Sequence, residues 1–281
     1  MSSEPIQANF SDPKEWKIFS ERHQGFLRLF HNLISAMNMA FVRDHSGSRL
    51  DLVILSLGRL CVEELMEILL LCGYGYGVAA LKLVRGMYER AVTAAYLHKS
   101  PEELDNFINY GHIAQYKLLR QIQATMGGDV LSPEQTREIE EEYRLHKAEF
   151  LITDCKVCGT QRVNHSWSKL DFVSMAMQTP FGKLIVPAYY LPTKEIHSTI
   201  GALFTRFELS EEEGIIFTGE PQHEKADEAL ISAHNIILGL LELSRDHFHN
   251  QQLEQPLQRC LADFQTIWRR EPSTTEAPST Q

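Results

Sequence analysis

A chain of 281 residues, 43% of them hydrophobic, is long enough for one large domain or two small ones. Its 9% aromatic and 23% charged residues are those of an ordinary water-facing globule, neither a fibre nor a disordered chain. A formal charge of -10, from 37 acidic against 27 basic side chains, argues against nucleic acid as a partner, because phosphate backbones require clustered Lys and Arg.

The amino terminus, MSSEPIQANFSDP, has no basic n-region and no apolar h-region, so no signal peptide is expected and residues 1–11 read as a flexible lead. Ser11 or Asp12 then caps a first helix with Pro13 in its opening turn. Trp16, Phe19, Phe26, Leu33, Met37 and Phe41 recur at helical spacing up to a break near His45. A second helix runs from about Leu50 to Cys72, with Leu57, Leu60, Cys61, Glu64, Ile68 and Leu71 on its inner stripe. The motif Gly73-Tyr-Gly-Tyr-Gly77 separates it from a third helix. No strand precedes this motif and no Walker spacing follows it, so it reads as an interhelical turn rather than a phosphate loop.

The third helix carries Arg85 and Glu89, four residues apart and therefore on one face with Val78, Leu81, Val92 and Tyr96, so the pair is expected to point at the core rather than at water. Ser100-Pro101-Glu102-Glu103 opens a fourth helix that ends at Gly127-Gly128, with Ser100 as its N-cap. Ser132-Pro133-Glu134-Gln135 opens a fifth, highly charged helix reaching about Phe150, read as a solvated face. The periodicity stops from Leu151 to His165 and returns for a helix from Ser166 to Met177. After a Pro- and Gly-broken loop and Tyr189-Tyr190, another helix is expected from about Pro192 to Phe207. Glu208 to Gln222 reads as an acidic surface loop, and strand signals are too short to matter. A long helix from about His223 to His249 contains the most apolar run, Ala229–Leu243. Ser232, His234, Asn235 and Glu242 interrupt it, and it is too short to span a membrane. A last helix ends near Arg270, and residues 271–281 read as a disordered tail. The expectation is an all-α, single-domain bundle of about eight or nine helices over residues 12–270, in the cytoplasm. Five cysteines, an odd number, fit reduced thiols.

Arg85 and Glu89 head the candidate site. Glu64 lies on the inner stripe of the preceding helix, and an antiparallel neighbour would bring it to Arg85, giving one cation between two carboxylates. Two readings stand: an ion-pair network that fixes helix register, or a polar pocket in which burial shifts the carboxylates. On the buried reading, Arg85→Ala strands a carboxylate and costs about 3–5 kcal/mol. Trp167, Tyr189, Tyr190 and His197 form a second constellation. His197 shares a face with Thr193, Ile200 and Phe204, so it is either a core histidine or the general base of a catalytic site.

An inner Glu, then Arg85-x-x-x-Glu89, Asp105-x-Phe107-x-x-Tyr110, Ser166-Trp167-Ser168, Tyr189-Tyr190 and Ile196-His197-Ser198 follow one another in a recognisable order. Over roughly residues 50–205 this pattern resembles the bacterial all-helical family known as domain of unknown function 5677. The resemblance picks out Glu64, Arg85, Glu89, Tyr110, Trp167, Tyr190 and His197 as the shared polar and aromatic set. It implies a helical fold and a bacterial cytoplasmic setting, and no reaction.

Cys155-x-x-Cys158-Gly159 looks like half of a zinc knuckle, which needs four ligands; His165, or His146 upstream, could complete it. Structural zinc, two free surface thiols and a redox pair all remain open for it. A di-iron carboxylate bundle needs two Glu-x-x-His motifs, whereas Glu220-x-x-His223 sits beside Pro221 in a loop and Asp246-x-x-His249 at a helix end. Nor does an Arg–His pair fall at the spacing of HEPN-type ribonucleases: Arg245 and His249 have three residues between them, Arg90 and His98 seven. The reading that emerges is a binding or regulatory module whose Arg85 network lines a polar pocket or a homo-oligomer interface. The alternative is a hydrolase- or nuclease-like enzyme with His197 as general base, Arg85 holding an anionic group and Glu89 beside it.

Overall fold

The computed structural model describes residues 13–42, 47–126, 130–154, 158–197, 200–204, 206–210, 214–217 and 221–269. The expected flexible lead (1–11) and disordered tail (271–281) lie outside them. Among the described residues there are eleven α-helices: α1 (Pro13–Arg22), α2 (Gln24–Phe41), α3 (Arg49–Gly73), α4 (Gly77–Lys99), α5 (Leu104–Met126), α6 (Pro133–His146), α7 (Phe172–Met177), α8 (Leu191–Ile196), α9 (Ile200–Phe204), α10 (His223–His247) and α11 (Glu254–Ile267). Two hairpins accompany them, β1 (Leu151–Thr153) with β2 (Gln161–Val163) and β3 (Phe207–Ser210) with β4 (Gly214–Phe217). The protein is mainly all-α.

Two helices more than the expected upper count arise because two long periodic stretches are each divided. His23 takes φ -109° and ψ 26° and separates α1 from α2, while His197, extended at ψ 139°, ends α8 before α9. The hairpins correct the reading of Leu151–His165 and Glu208–Gln222 as loop. Strands of three and four residues leave too short an alternation to register in sequence, yet Phe207 pairs with Phe217 and their rings meet edge-on at 6.0 Å. Ser132 caps α6 through a reciprocal capping box with Gln135. Ser48 and Asp51 do the same for α3. Ser100 makes no side-chain cap, because Pro101–Glu103 forms a 3₁₀ turn ahead of α5.

The described chain divides into two compact units, residues 1–95 with 179–281, and residues 96–178. In the first, α10 is the central rod. Its apolar run is the buried interior of the helix, with Leu230, Ile236, Ile237, Leu240 and Leu241 almost fully covered, packed along α3, α2 and α11. Arg22 Nε donates to Asp227 Oδ1 at 3.0 Å and Asn32 Nδ2 to Asp263 Oδ2 at 2.8 Å, tying α1 to α10 and α2 to α11. The glycine motif forms the turn between α3 and α4. Gly75 sits at φ +81°, and a Cβ on Gly77 would come within 2.4 Å of the Ala226 backbone nitrogen, so the start of α4 lies directly against α10. None of the described helices is long and apolar enough to cross a membrane.

In the second unit α5 and α6 run antiparallel. His112 meets His146, and four residues further along α5 Tyr116 stacks on Tyr143, three residues back along α6, with ring centroids 3.8 Å apart. The hairpin β1–β2 and the segment leading to α7 complete it.

Candidate functional site

Helix α4 is buried around most of its circumference in the first unit: Ala80, Leu81, Val84, Met87, Tyr88, Ala91 and Val92 are all covered. Arg85 and Glu89 fall at the margin of that face. Arg85 Nε donates to Glu89 Oε1 at 2.9 Å, as the spacing requires, but the side chains retain 21% and 43% exposure. The expectation of a pair pointing into the core is thus corrected. At 100° per residue, Arg85 and Glu89 stand roughly 100–140° from the centre of the buried stripe, far enough round to reach solvent.

A second contact holds Arg85. Its guanidinium carbon lies 4.7 Å from the Tyr189 ring centroid, a cation–π contact. Tyr189 is presented by a π-helical turn, Val186–Tyr190, that runs directly into α8. Its ring lies 6.3 Å from that of Tyr88 and 5.6 Å from that of Tyr190. Tyr88 is completely buried and its hydroxyl donates to the Phe181 carbonyl at 3.0 Å. Burial, with Tyr190 adding to it, pushes that phenol well above its ordinary range. Arg85, Glu89, Tyr189 and Tyr190 therefore form a polar-aromatic platform, backed by a buried tyrosine and open on one side.

Glu64 does not join Arg85. Its partner is Arg90, whose Nη1 donates to Glu64 Oε1. The Glu64 side chain is 12% exposed and its Oε2 is buried without a hydrogen-bond partner among the described residues. Desolvation raises its pKa to about 7 in spite of Arg90. Gly86 makes this possible, since a Cβ there would lie 3.0 Å from Arg90 Nη1 and 3.1 Å from Glu64 Oε1. Below the pair, burial pushes the Cys61 thiol up, and its sulfur faces the Met87 carbonyl at 3.5 Å. The reading missed Arg90, which stands five residues beyond Arg85 and so projects roughly 140° away on the same helix.

His197 is exposed at the end of α8. Its backbone N–H reaches the Thr193 carbonyl at 3.3 Å, and its imidazole has no hydrogen-bond or ion-pair partner among the described residues. In the second unit, Trp167 packs edge-on against Phe107 at 5.3 Å and Tyr96 at 5.9 Å. Tyr110 donates its hydroxyl to the Asn164 carbonyl at 3.2 Å and receives Lys117 Nζ at 2.8 Å. These two rings are framework for the segment after β2. Cys155 lies outside the described residues; Cys158 is exposed, with its sulfur 2.8 Å from Thr160 Oγ1, and His165 is exposed too. Cys61, Cys72 and Cys260 are free and buried; desolvation pushes the Cys72 thiol up to about 12 and that of Cys260 to about 11, so both stay protonated.

Fold and platform together define a mainly all-α protein with a half-open ion pair set against tyrosines. Residues 51–215, more than half of the chain, match the family of unknown function DUF5677, and the chain belongs to that family. No curated protein and no solved structure matches it.

Proposed function

We propose that this protein is a non-enzymatic binding or regulatory module, acting in the cytoplasm, whose contact surface is the Arg85–Glu89–Tyr189–Tyr190 platform and the segment that follows it. One observation carries the reading: large apolar side chains are exposed at high density along this stretch, among them Tyr190, Ile196, Ile200, Phe204, Ile215 and Phe217. Scattered exposed apolar residues are ordinary, but a concentration of them on short helices and a hairpin is the mark of a surface meant to be covered. The occupant is a second copy of this chain. An Arg and a Glu one turn apart are self-complementary under a two-fold axis, so that Arg85 of one copy can face Glu89 of the other.

Sedimentation velocity at about 10 μM protein tests this. The wild type is expected to sediment as a dimer, Phe204→Asp as a monomer, and Arg85→Glu as a weakened dimer that recovers when Glu89→Arg is added. A wild type that stays monomeric, with all three variants indistinguishable from it, overturns the proposal. In the same samples Arg85→Ala should lower stability by only about 1–2 kcal/mol. The pair it breaks is half-exposed, and one cation–π contact is lost with it.

The alternative, a hydrolase- or nuclease-like enzyme, draws support from the solvent access of His197 and of the outer edge of Arg85. It is the weaker reading, because a general base needs a group that orients its imidazole, and His197 has none among the described residues.

A further inference from the structure

Helices α5 and α6 bring together three side chains that the platform does not use. His112 Nδ1 and His146 Nε2 both lie 3.7 Å from the same oxygen, Glu142 Oε2. The donor atoms of all three lie within 4.8 Å of one another. At 3.7 Å neither ring nitrogen is hydrogen-bonded to that carboxylate. Two imidazoles and a carboxylate that bind one Zn²⁺ tetrahedrally, at about 2.0–2.2 Å each, have their donor atoms about 3.4 Å apart. A few tenths of an ångström of movement closes the two nitrogen–oxygen separations, and at most about 1.4 Å closes the one between the two nitrogens. The two rings are stacked, with centroids 5.0 Å apart and 10° between planes, so a turn of one ring about its Cβ–Cγ bond accompanies the closure.

An independent feature aims His146 at this point. Its Nδ1 lies 3.0 Å from Glu149 Oε1, and Glu149 is itself held by Asn109 Nδ2 at 3.1 Å. With the proton on Nδ1 facing a carboxylate, the Nε2 lone pair is left directed at Glu142, the carboxylate–histidine–metal arrangement that fixes a ligand's tautomer. His146 is also the least exposed of the three, at 17%.

We propose that His112, Glu142 and His146 form a binding site for a single divalent transition-metal ion, with Zn²⁺ the best match to two nitrogen ligands and one oxygen. Three protein ligands leave a fourth position open, as in sites that bind water or an exogenous ligand rather than in closed structural ones. That position adjoins a groove of about 560 Å³ between α5 and α6, to which His112 and Glu142 contribute. Leu119, Ile122 and Ile139 give the groove an apolar floor, and Gln115, Gln135 and Glu138 are its polar groups. A small molecule with an oxygen or nitrogen donor at one end and an apolar body fits this lining. The site is distinct from the Cys155/Cys158 knuckle considered above, from which it takes over His146.

The test uses the full chain in a Cys155→Ser/Cys158→Ser background, so that thiolates contribute nothing. Titration with Zn²⁺ against a chromophoric chelator should find one equivalent bound. His112→Ala, His146→Ala and the near-isosteric Glu142→Gln should each weaken binding about 100-fold, and Glu149→Gln about 10-fold, through loss of orientation alone. Co²⁺ in place of Zn²⁺ should give visible d–d bands without sulfur charge-transfer absorption. Equal Zn²⁺ affinity in the parent and in the His112→Ala/His146→Ala variant overturns the proposal, as does failure of the parent to bind. Far-UV circular dichroism establishes that each variant is folded.

Discussion

Replacing Arg90 with alanine is expected to cost about 2–3 kcal/mol of stability at pH 8 and much less at pH 5. Glu64 is nearly buried, and Arg90 is the cation that meets it. Removing one partner of a buried pair usually costs about 3–5 kcal/mol because the other charge is stranded. Here the cost is capped from two sides. Arg90 is itself partly open to solvent, and Glu64, with its pKa already raised to about 7, escapes the penalty by taking up a proton. At pH 5 Glu64 is protonated with or without Arg90, so little remains to be lost. Urea unfolding of both proteins at the two pH values checks this. An equal loss at both would mean that the carboxylate is not the group that Arg90 serves.

The second large effect lies in how stability varies with pH. Glu64 has its pKa raised from 4.5 to about 7, chiefly by desolvation. The stability it contributes is full below 4.5 and is lost as pH rises through 7. His234 is the opposite case. It is buried among Phe26, Phe264 and Trp268, accepts the Trp268 indole N–H on Nδ1 at 3.1 Å, and has its pKa lowered by burial from 6.5 to about 4. Its contribution is full above 6.5 and is lost as pH falls through 4. Each shift is worth about 3 kcal/mol, and the two windows overlap with opposite slopes. In the wild type these two slopes should therefore cancel between about pH 6.5 and 4.5, leaving only the shallower fall that His23 contributes. Glu64→Gln removes one slope and should uncover a fall of about 3 kcal/mol from pH 6.5 to 4. His23, its pKa lowered by burial as well, adds to that fall. Parallel curves for the variant and the wild type would show that Glu64 does not titrate in this range.

The helical class was legible because period and punctuation agree. The Gly73–Gly77 turn, the capping box at Ser132 and the apolar run of α10 each stand where their residue types require. What did not show was register between elements. The i,i+4 spacing delivers Arg85 to Glu89, but nothing along the chain says which arginine of α4 faces α3, and Arg90 rather than Arg85 meets Glu64. The metal triad has the same character. Glu142-x-x-x-His146 is a readable pair on one helix face, whereas His112 sits thirty residues earlier and joins it only through the packing of α5 on α6. The two hairpins escaped notice because three or four residues carry too little alternation to outweigh the turn residues around them.

The π-helical turn at Val186–Tyr190 accommodates one more residue per turn than an ordinary helix would. A chain shortened by a single residue there could wind as an ordinary helix: five residues at the wide pitch and four at the ordinary one each turn the axis a little more than once, so the flanking side chains would keep nearly their places. What that stretch encodes is thus a count as much as a composition: one surplus residue is taken up inside the widened turn that holds the Tyr189 ring over the Arg85 guanidinium.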